Sequence, residues 1–362
     1  MSNTISRRHF LQISSMAAMS APLLGYLPQD RPLGIALVGL GGYATHQLAP
    51  ALLQTRYVKL TGIVTGTPSK VKDWQDKYQL KDKNIYNYQD FDEIAKNKDI
   101  DIIYIVLPNS MHAEFAIRAA KAGKHVICEK PMAISVGECE QMIAACKKAN
   151  KQLAIGYRLH FDPYNLEMVR LSREQVFGKV RLVESSDGFT AGDPNQWRLK
   201  KAFSGGGPLM DVGIYALQGA RYVIGEEPVS VTAQTFAKTN PDKFRDVEES
   251  LAWQMEFPGG AVSSSFTTYA ANVARLFASA EKGWFELDPA YGYNGLQGRT
   301  SKGPITFPAM NQQAAQLDGI AKSILTNTPN IVPGEEGLRD MKIITAIYEA
   351  ADTGKKIRLS LK

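Results

Sequence analysis

Leu33-Gly34-Ile35-Ala36-Leu37-Val38-Gly39-Leu40-Gly41-Gly42-Tyr43-Ala44 is the stretch on which the fold turns. Its apolar first half suits a strand buried on both faces, and the chain then turns on glycines into a helical pattern that runs through Leu53. Gly39, Gly41 and Ala44 match the G-x-G-x-x-G/A pattern. In that pattern the first glycine makes a tight turn, the second admits a pyrophosphate, and the third small residue lets helix meet strand. The string alone is common, and a structural glycine turn is the competing reading. Its position between a strand and a helix, whose amino terminus can face an anion, makes it a dinucleotide site.

Outward from this turn, apolar runs at Leu60 to Val64, Ile102 to Leu107, Val126 to Cys128 and Leu153 to Ile155 alternate with helical stretches at Ala113 to Ala122 and Val136 to Asn150. Such alternation implies crossovers and a mostly parallel sheet. Beyond about Gly178 the rhythm changes to strands in succession, at Val180 to Ser185, Val229 to Phe236, Ser250 to Phe257, Ala261 to Thr268 and Arg275 to Ala280. Helices fall near Leu209 to Ile224, Gln312 to Leu325 and Glu335 to Ala351. The expected fold is an α/β Rossmann domain followed by an α+β domain with a large, mostly antiparallel sheet. The expected boundaries are a leader at 1–27, a dinucleotide-binding domain at 28–153 and a substrate and oligomerisation domain at 154–362.

A chain of 362 residues, 44% hydrophobic and 22% charged, is globular and long enough for two domains. The net charge of +6 is spread among acids, which argues against nucleic acid as a partner. Cys128, Cys139 and Cys146 are too few for a disulfide framework and form no C-x-x-C pair, and no metal is expected. The leader carries Arg7-Arg8 ahead of a mildly apolar run from Phe10 to Leu27 that serines and a glutamine dilute. It reads as a twin-arginine export signal for the periplasm, cleaved within 19–30, with no stable membrane anchor; a disordered basic terminus is the bland alternative.

Two constellations carry chemistry. The strand after the glycine turn ends at Val64-Thr65-Gly66-Thr67 with no acid for the ribose hydroxyls of NAD, while Thr65, Ser69 and Lys70 offer hydroxyls and a cation for a 2′-phosphate. NADP is therefore favoured over NAD, unless Lys70 is simply a solvated side chain. Further on, Lys130 follows the strand at Val126 to Cys128, where ligands bind in parallel sheets, and is either a surface lysine or a half-buried ammonium. Asp211 and Tyr215 sit at i and i+4 behind Gly205-Gly206-Gly207-Pro208, on one helical face. Tyrosine beside an ammonium can take the proton that a carbinol loses with its hydride; a core tyrosine is the alternative.

These residues resemble the Gfo/Idh/MocA family, and within it the glucose–fructose oxidoreductase branch. The resemblance covers nearly all of the chain after the leader, through the glycine turn, Leu107 to Phe115, Cys128 to Met132, Ile155 to Arg158, Gln196 to Leu199 and Gly205 to Tyr215. It implies Lys130 and Tyr215 as the catalytic pair, with Asp211 orienting sugar or tyrosine, and Arg158 and His160 in the sugar pocket. It likewise implies that Gly42, Tyr43, Leu107, Pro108, Asn109, His112, Glu129 and Lys130 face the cofactor and that Trp197 and Arg198 close over it. Tyrosine at 215, where many family dehydrogenases carry histidine, favours the glucose–fructose branch. The segment ahead of the first domain is shorter than that branch's long arm, so a homodimer stands beside a homotetramer. The implied activity is oxidation of an aldose to its lactone, with tightly bound NADP(H) passing the hydride to a second sugar. Small sugars and the export machinery are the implied partners. An ordinary dehydrogenase with exchangeable cofactor, or a noncatalytic sugar sensor, remain the alternatives.

Overall fold

The structure is a computed structural model and describes residues 31–361; the leader and its cleavage region lie outside them. Six strands form a parallel sheet in the order β3-β2-β1-β4-β5-β6, the doubly wound arrangement. They are β1 Leu33–Val38, β2 Val58–Val64, β3 Ile85–Tyr86, β4 Ile102–Ile105, β5 His125–Cys128 and β6 Leu153–Ile155. Every residue of β1 and β4 is buried, as apolar runs covered on both faces require. The β1 chain leaves through a π-helical turn, Ala44–Leu48, into α1 Ala49–Leu52. Helices α2 Val71–Tyr78, α3 His112–Lys121 and α4 Val136–Lys148 supply the later crossovers. Ser135 starts α4 by accepting the Glu138 amide at 3.3 Å, and Glu138 accepts the Ile134 amide at 3.0 Å, so two donors of the helix entry are met by an S-x-x-E pair.

The second sheet has nine strands in the order β14-β13-β12-β11-β7-β10-β9-β8-β15. Its centre is β7 Val180–Gly188, β8 Ser230–Thr235, β9 Ser250–Glu256, β10 Val262–Thr268 and β11 Val273–Ala280, with β12 Gly283–Leu287, β13 Gly298–Thr300, β14 Gly303–Ile305 and β15 Ile357–Arg358 outside them. The expectation of a mostly antiparallel sheet holds, but succession in sequence is not succession in space: β7 and β10 pair in parallel. The reason is the long excursion after β7, which builds the glycine turn and the helix of the site and returns on the far side of β10. Period-2 patterning is plain in β9, where Leu251, Trp253 and Met255 are buried while Gln254 and Glu256 are exposed.

The remaining helices are α5 Pro163–Arg173, α6 Lys201–Ser204, α7 Ile214–Ile224, α8 Gln312–Leu325 and α9 Gly334–Thr353. Asp162 caps α5 by accepting the amides of Tyr164 at 3.0 Å and Asn165 at 3.1 Å, with Pro163 in the first turn. Two of these helices cross back to the first sheet. The Asp318 carboxylate on α8 accepts the Arg56 amide at 2.9 Å and the Tyr57 amide at 2.8 Å, at the entry to β2. The α9 helix packs on both α4 and β8. The chain from Pro32 onward forms one compact unit for this reason.

Candidate active site

Gly39 sits at φ +94° and a Cβ there would stand 2.5 Å from the Val106 carbonyl oxygen, so neither its backbone nor its surroundings accept a side chain. A Cβ on Gly41, by contrast, would meet nothing within 4 Å. That open space at the start of a helix is a cradle a ligand backbone can enter, and the fully buried Ala44 provides the close packing behind it. The residues present therefore fit a dinucleotide. Around the adenosine end, Thr65 is buried and its hydroxyl accepts the Thr67 amide at 3.0 Å, which shapes the turn. Ser69 and Lys70 are exposed, and Lys70 Nζ donates to the Leu40 carbonyl at 2.7 Å, reaching across to the glycine turn itself.

Past β4, the structure departs from the expectation for His112. Its ring is fully buried, with Nδ1 2.9 Å from the Pro131 carbonyl oxygen and Nε2 2.9 Å from that of Leu107. It braces the loops that end β4 and β5 from behind and has no surface left for a cofactor. Asn109, also buried, donates to the Ser204 carbonyl at 2.8 Å and ties the Leu107-Pro108 loop to α6.

Lys130 extends from the end of β5 into the second domain. Its Nζ donates to the Asp211 carbonyl, lies 3.6 Å from Asp211 Oδ1 and stands 4.6 Å from the centre of the Tyr215 ring. Burial works to lower the Lys130 pKa, but Tyr215, Asp211 and Glu129 outweigh it and hold the ammonium above its usual range. Asp211 is on a π-helical turn, Leu209–Gly213, that leads into α7. Its other oxygen pairs with Arg198 Nε at 3.0 Å and accepts the Tyr269 hydroxyl at 3.0 Å. Burial alone would raise this carboxyl; the Arg198 and Lys130 charges hold it below its usual value. Asp211 is thus engaged with both Lys130 and Arg198. Arg198 in turn lies over the Trp197 ring at 4.6 Å.

Beneath the lysine, Glu129 is pushed up by burial and accepts the Tyr104 hydroxyl at 2.6 Å, while Gln316 of α8 donates to Tyr104 at 2.9 Å. Arg158 is sandwiched between Tyr215, at 5.0 Å, and Tyr293, at 4.6 Å. Its two Nη atoms donate to carbonyls of Tyr291 and Gly292 and to the Gln312 side chain, while the buried Nε has no hydrogen-bond partner among the described residues. Tyr293 also stacks on Tyr43 of the glycine turn at 5.8 Å, so the two sheets meet through aromatic rings. Tyr104, Tyr269, Tyr291, Tyr293, Gln316 and the buried Asp187 were not read from the sequence. The only available signal was the run Tyr291-Gly292-Tyr293, two tyrosines in a glycine-rich turn.

His160 shares a cavity wall with Tyr215. Two residues past Arg158, it packs edge-on against Tyr222 at 4.1 Å and borders a cavity of about 470 Å³ along α7 that Tyr215 also lines. Burial, with the Arg221 charge, lowers its pKa to about 3. The unfolded chain binds a proton near pH 6.5 and the fold only near pH 3, so acid favours unfolding across that window. By pH 5 this costs about 2 kcal/mol. His160→Phe is expected to lose less stability than the parent between pH 7 and pH 5 in urea titrations; parallel losses would show that the ring protonates without unfolding.

Comparison with known proteins agrees with the two-part fold. Residues 33–157 match the model described as "Oxidoreductase family, NAD-binding Rossmann fold", and residues 166–286 match the GFO/IDH/MocA C-terminal domain. The chain is 30% identical over 343 residues to a D-xylose 1-dehydrogenase (NADP+) of Haloarcula marismortui, covering 91% of this chain and 94% of that protein. It is 25% identical over 348 residues to a D-glucoside 3-dehydrogenase of Escherichia coli, covering 91% and 98%. The crystal structure of an aldose-aldose oxidoreductase from Caulobacter crescentus, complexed with glycerol, superposes with a TM-score of 0.89 at 45% identity, over 91% of this chain and 100% of that one. With both domain models matched in order and the glycine turn, Lys130 and Tyr215 in one structure, this chain belongs to the GFO/IDH/MocA family of oxidoreductases.

Proposed function

We propose that the protein is an exported, NADP-retaining sugar oxidoreductase. It oxidises an aldose at its anomeric carbon to the lactone and returns the hydride to the carbonyl of a second sugar. The observation that carries this is the Lys130 ammonium held between Asp211 and the Tyr215 ring. The similarity to the NADP-dependent D-xylose dehydrogenase and to the aldose-aldose oxidoreductase supports sugars as substrates.

NADP, when bound, supplies the hydride acceptor. The glycine turn and the amino terminus that follows it hold the pyrophosphate, and Ser69 with Lys70 meets the 2′-phosphate, where an acid would repel it. The Tyr215 phenolate takes the carbinol proton, becomes the phenol, and later returns that proton to the second sugar's oxygen. Lys130 stabilises the phenolate that precedes the first transfer and is regenerated by the second, because a fixed ammonium in a buried site needs no solvent reorganisation. Asp211, fixed by Arg198 and Tyr269, keeps Lys130 charged and in place. Export of a folded protein through the twin-arginine route leads to a compartment without an NADP pool. Retention of cofactor then follows as a requirement for turnover.

The test is spectroscopic. Aldose alone should raise the reduced-nicotinamide absorbance of the purified protein once, with steady turnover beginning only when a second sugar is supplied, and initial-rate lines should be parallel. Apoprotein that turns over only with added NADP, or intersecting lines, would establish the ordinary dehydrogenase, the reading that the D-xylose dehydrogenase relative favours.

A further inference from the structure

On β7, Val183, Ser185 and Asp187 alternate onto the buried face, whereas Glu184 is exposed. The strand is interior, with Asp187 opposite Thr267 of β10 and Ala274 of β11. Ser185 shares a hydrogen bond of 2.5 Å with the Tyr291 hydroxyl, and Tyr291 stacks on Tyr215 at 6.1 Å. Two residues along the same face, the Asp187 carbonyl accepts the Thr267 hydroxyl at 2.9 Å. Thr267 also reaches the Pro208 carbonyl at 3.3 Å, at the start of the turn that bears Asp211. Asp187 therefore stands between the floor under Tyr215 and the turn of Asp211. Lys130, Arg158 and Asp211 are the charges that act on it most strongly, and Tyr291 also faces it. The Gly188 amide supports its carboxyl, but among the described residues no side chain pairs with it.

We propose that Asp187 is a sugar-binding residue, whose carboxyl hydrogen-bonds a ring hydroxyl of the aldose beside Lys130 and thereby sets which aldoses are accepted. A buried carboxyl without a side-chain partner carries a desolvation cost that a ligand hydroxyl offsets. Burial raises its pKa to about 8, against the pull of Lys130 and Arg158. Near neutral pH it is then mostly a neutral acid with one donor and free acceptor sites, the complement of a sugar hydroxyl, which also donates and accepts. A site built to bond a hydroxyl rejects the analogue that lacks it far more strongly than an apolar pocket rejects a misfit.

The inference rests on the aldose reading above. Its experiment compares D-glucose with its 2-, 3- and 4-deoxy analogues in the parent, Asp187→Asn and Asp187→Ala, by kcat/KM for cofactor reduction. NADPH fluorescence titration checks that each variant still binds cofactor. The parent is expected to reject one deoxy sugar by about 100-fold or more, and Asp187→Ala to reduce that ratio to within about threefold, leaving the other ratios unchanged. Asp187→Asn, which keeps a donor and an acceptor, should retain an intermediate ratio. Unchanged ratios for all three analogues in a cofactor-binding Asp187→Ala protein overturn the assignment. Absence of hydride transfer from any aldose defeats the oxidoreductase reading instead. Equilibrium dialysis of labelled D-glucose and its deoxy analogues then decides Asp187 on binding ratios alone.

Discussion

Lys130→Met is expected to lower turnover by about 100-fold or more while NADP still binds, and Tyr215→Phe should do the same. The two changes remove different halves of one device, the proton carrier and the charge that makes it a carrier, so the double variant should be little worse than either single one. Methionine matches the length of the lysine stem and leaves Asp211 paired with Arg198 and Tyr269, which limits the structural damage. Stopped-flow measurement of the first reduction isolates this step from sugar release. Near-normal single-turnover rates in either variant would remove Lys130 and Tyr215 from the chemistry. Losses that multiply in the double variant would mean that the two act in separate steps.

The largest expected stability loss lies away from the chemistry, at Asp340. This residue of α9 is fully buried and accepts the Tyr157 hydroxyl at 2.6 Å, the Gln218 amide at 2.6 Å and Arg221 Nη1 at 2.5 Å. Arg221 continues to Glu227 at 2.6 Å and Glu336 at 2.9 Å. Asp340→Ala strands a hydroxyl, an amide and part of a buried guanidinium at once, which should cost about 3–5 kcal/mol in urea unfolding. Arg339→Ala, at the solvent edge of the same network, should cost no more than about 1 kcal/mol. A loss below about 1 kcal/mol for Asp340→Ala would show that Arg221 and its neighbours re-pair with Glu336 and Glu227.

The sequence carried the parts of the fold that rest on local pattern. The run from Leu33 to Ala44 combines burial period, turn chemistry and helix entry in consecutive residues, and β6 and α8 appear at the bounds their apolar patterns imply. The parallel pairing of β7 with β10 was invisible because each strand alternates alike whichever neighbour it takes. At the site, glycines and a strand end marked where Lys130, Asp211 and Tyr215 stand, and the family resemblance supplied their roles. Asp187 could not be named, since a lone acid in a strand looks the same whether its face meets solvent or a pocket. His112 marks the same limit from the other side: the resemblance set it against the cofactor, and its ring turns instead to the Pro131 and Leu107 carbonyls.

The return of α8 to the first sheet has a consequence for biosynthesis. Asp318 secures the entry to β2, and Gln316 completes the Tyr104 and Glu129 arrangement under the lysine. A nascent chain leaving the ribosome can form the parallel sheet early, but that sheet lacks the brace at the entry to β2 and the full floor under Lys130 until α8 has emerged. Quality control that senses a loose amino-terminal half would therefore be reading whether α8 has been made.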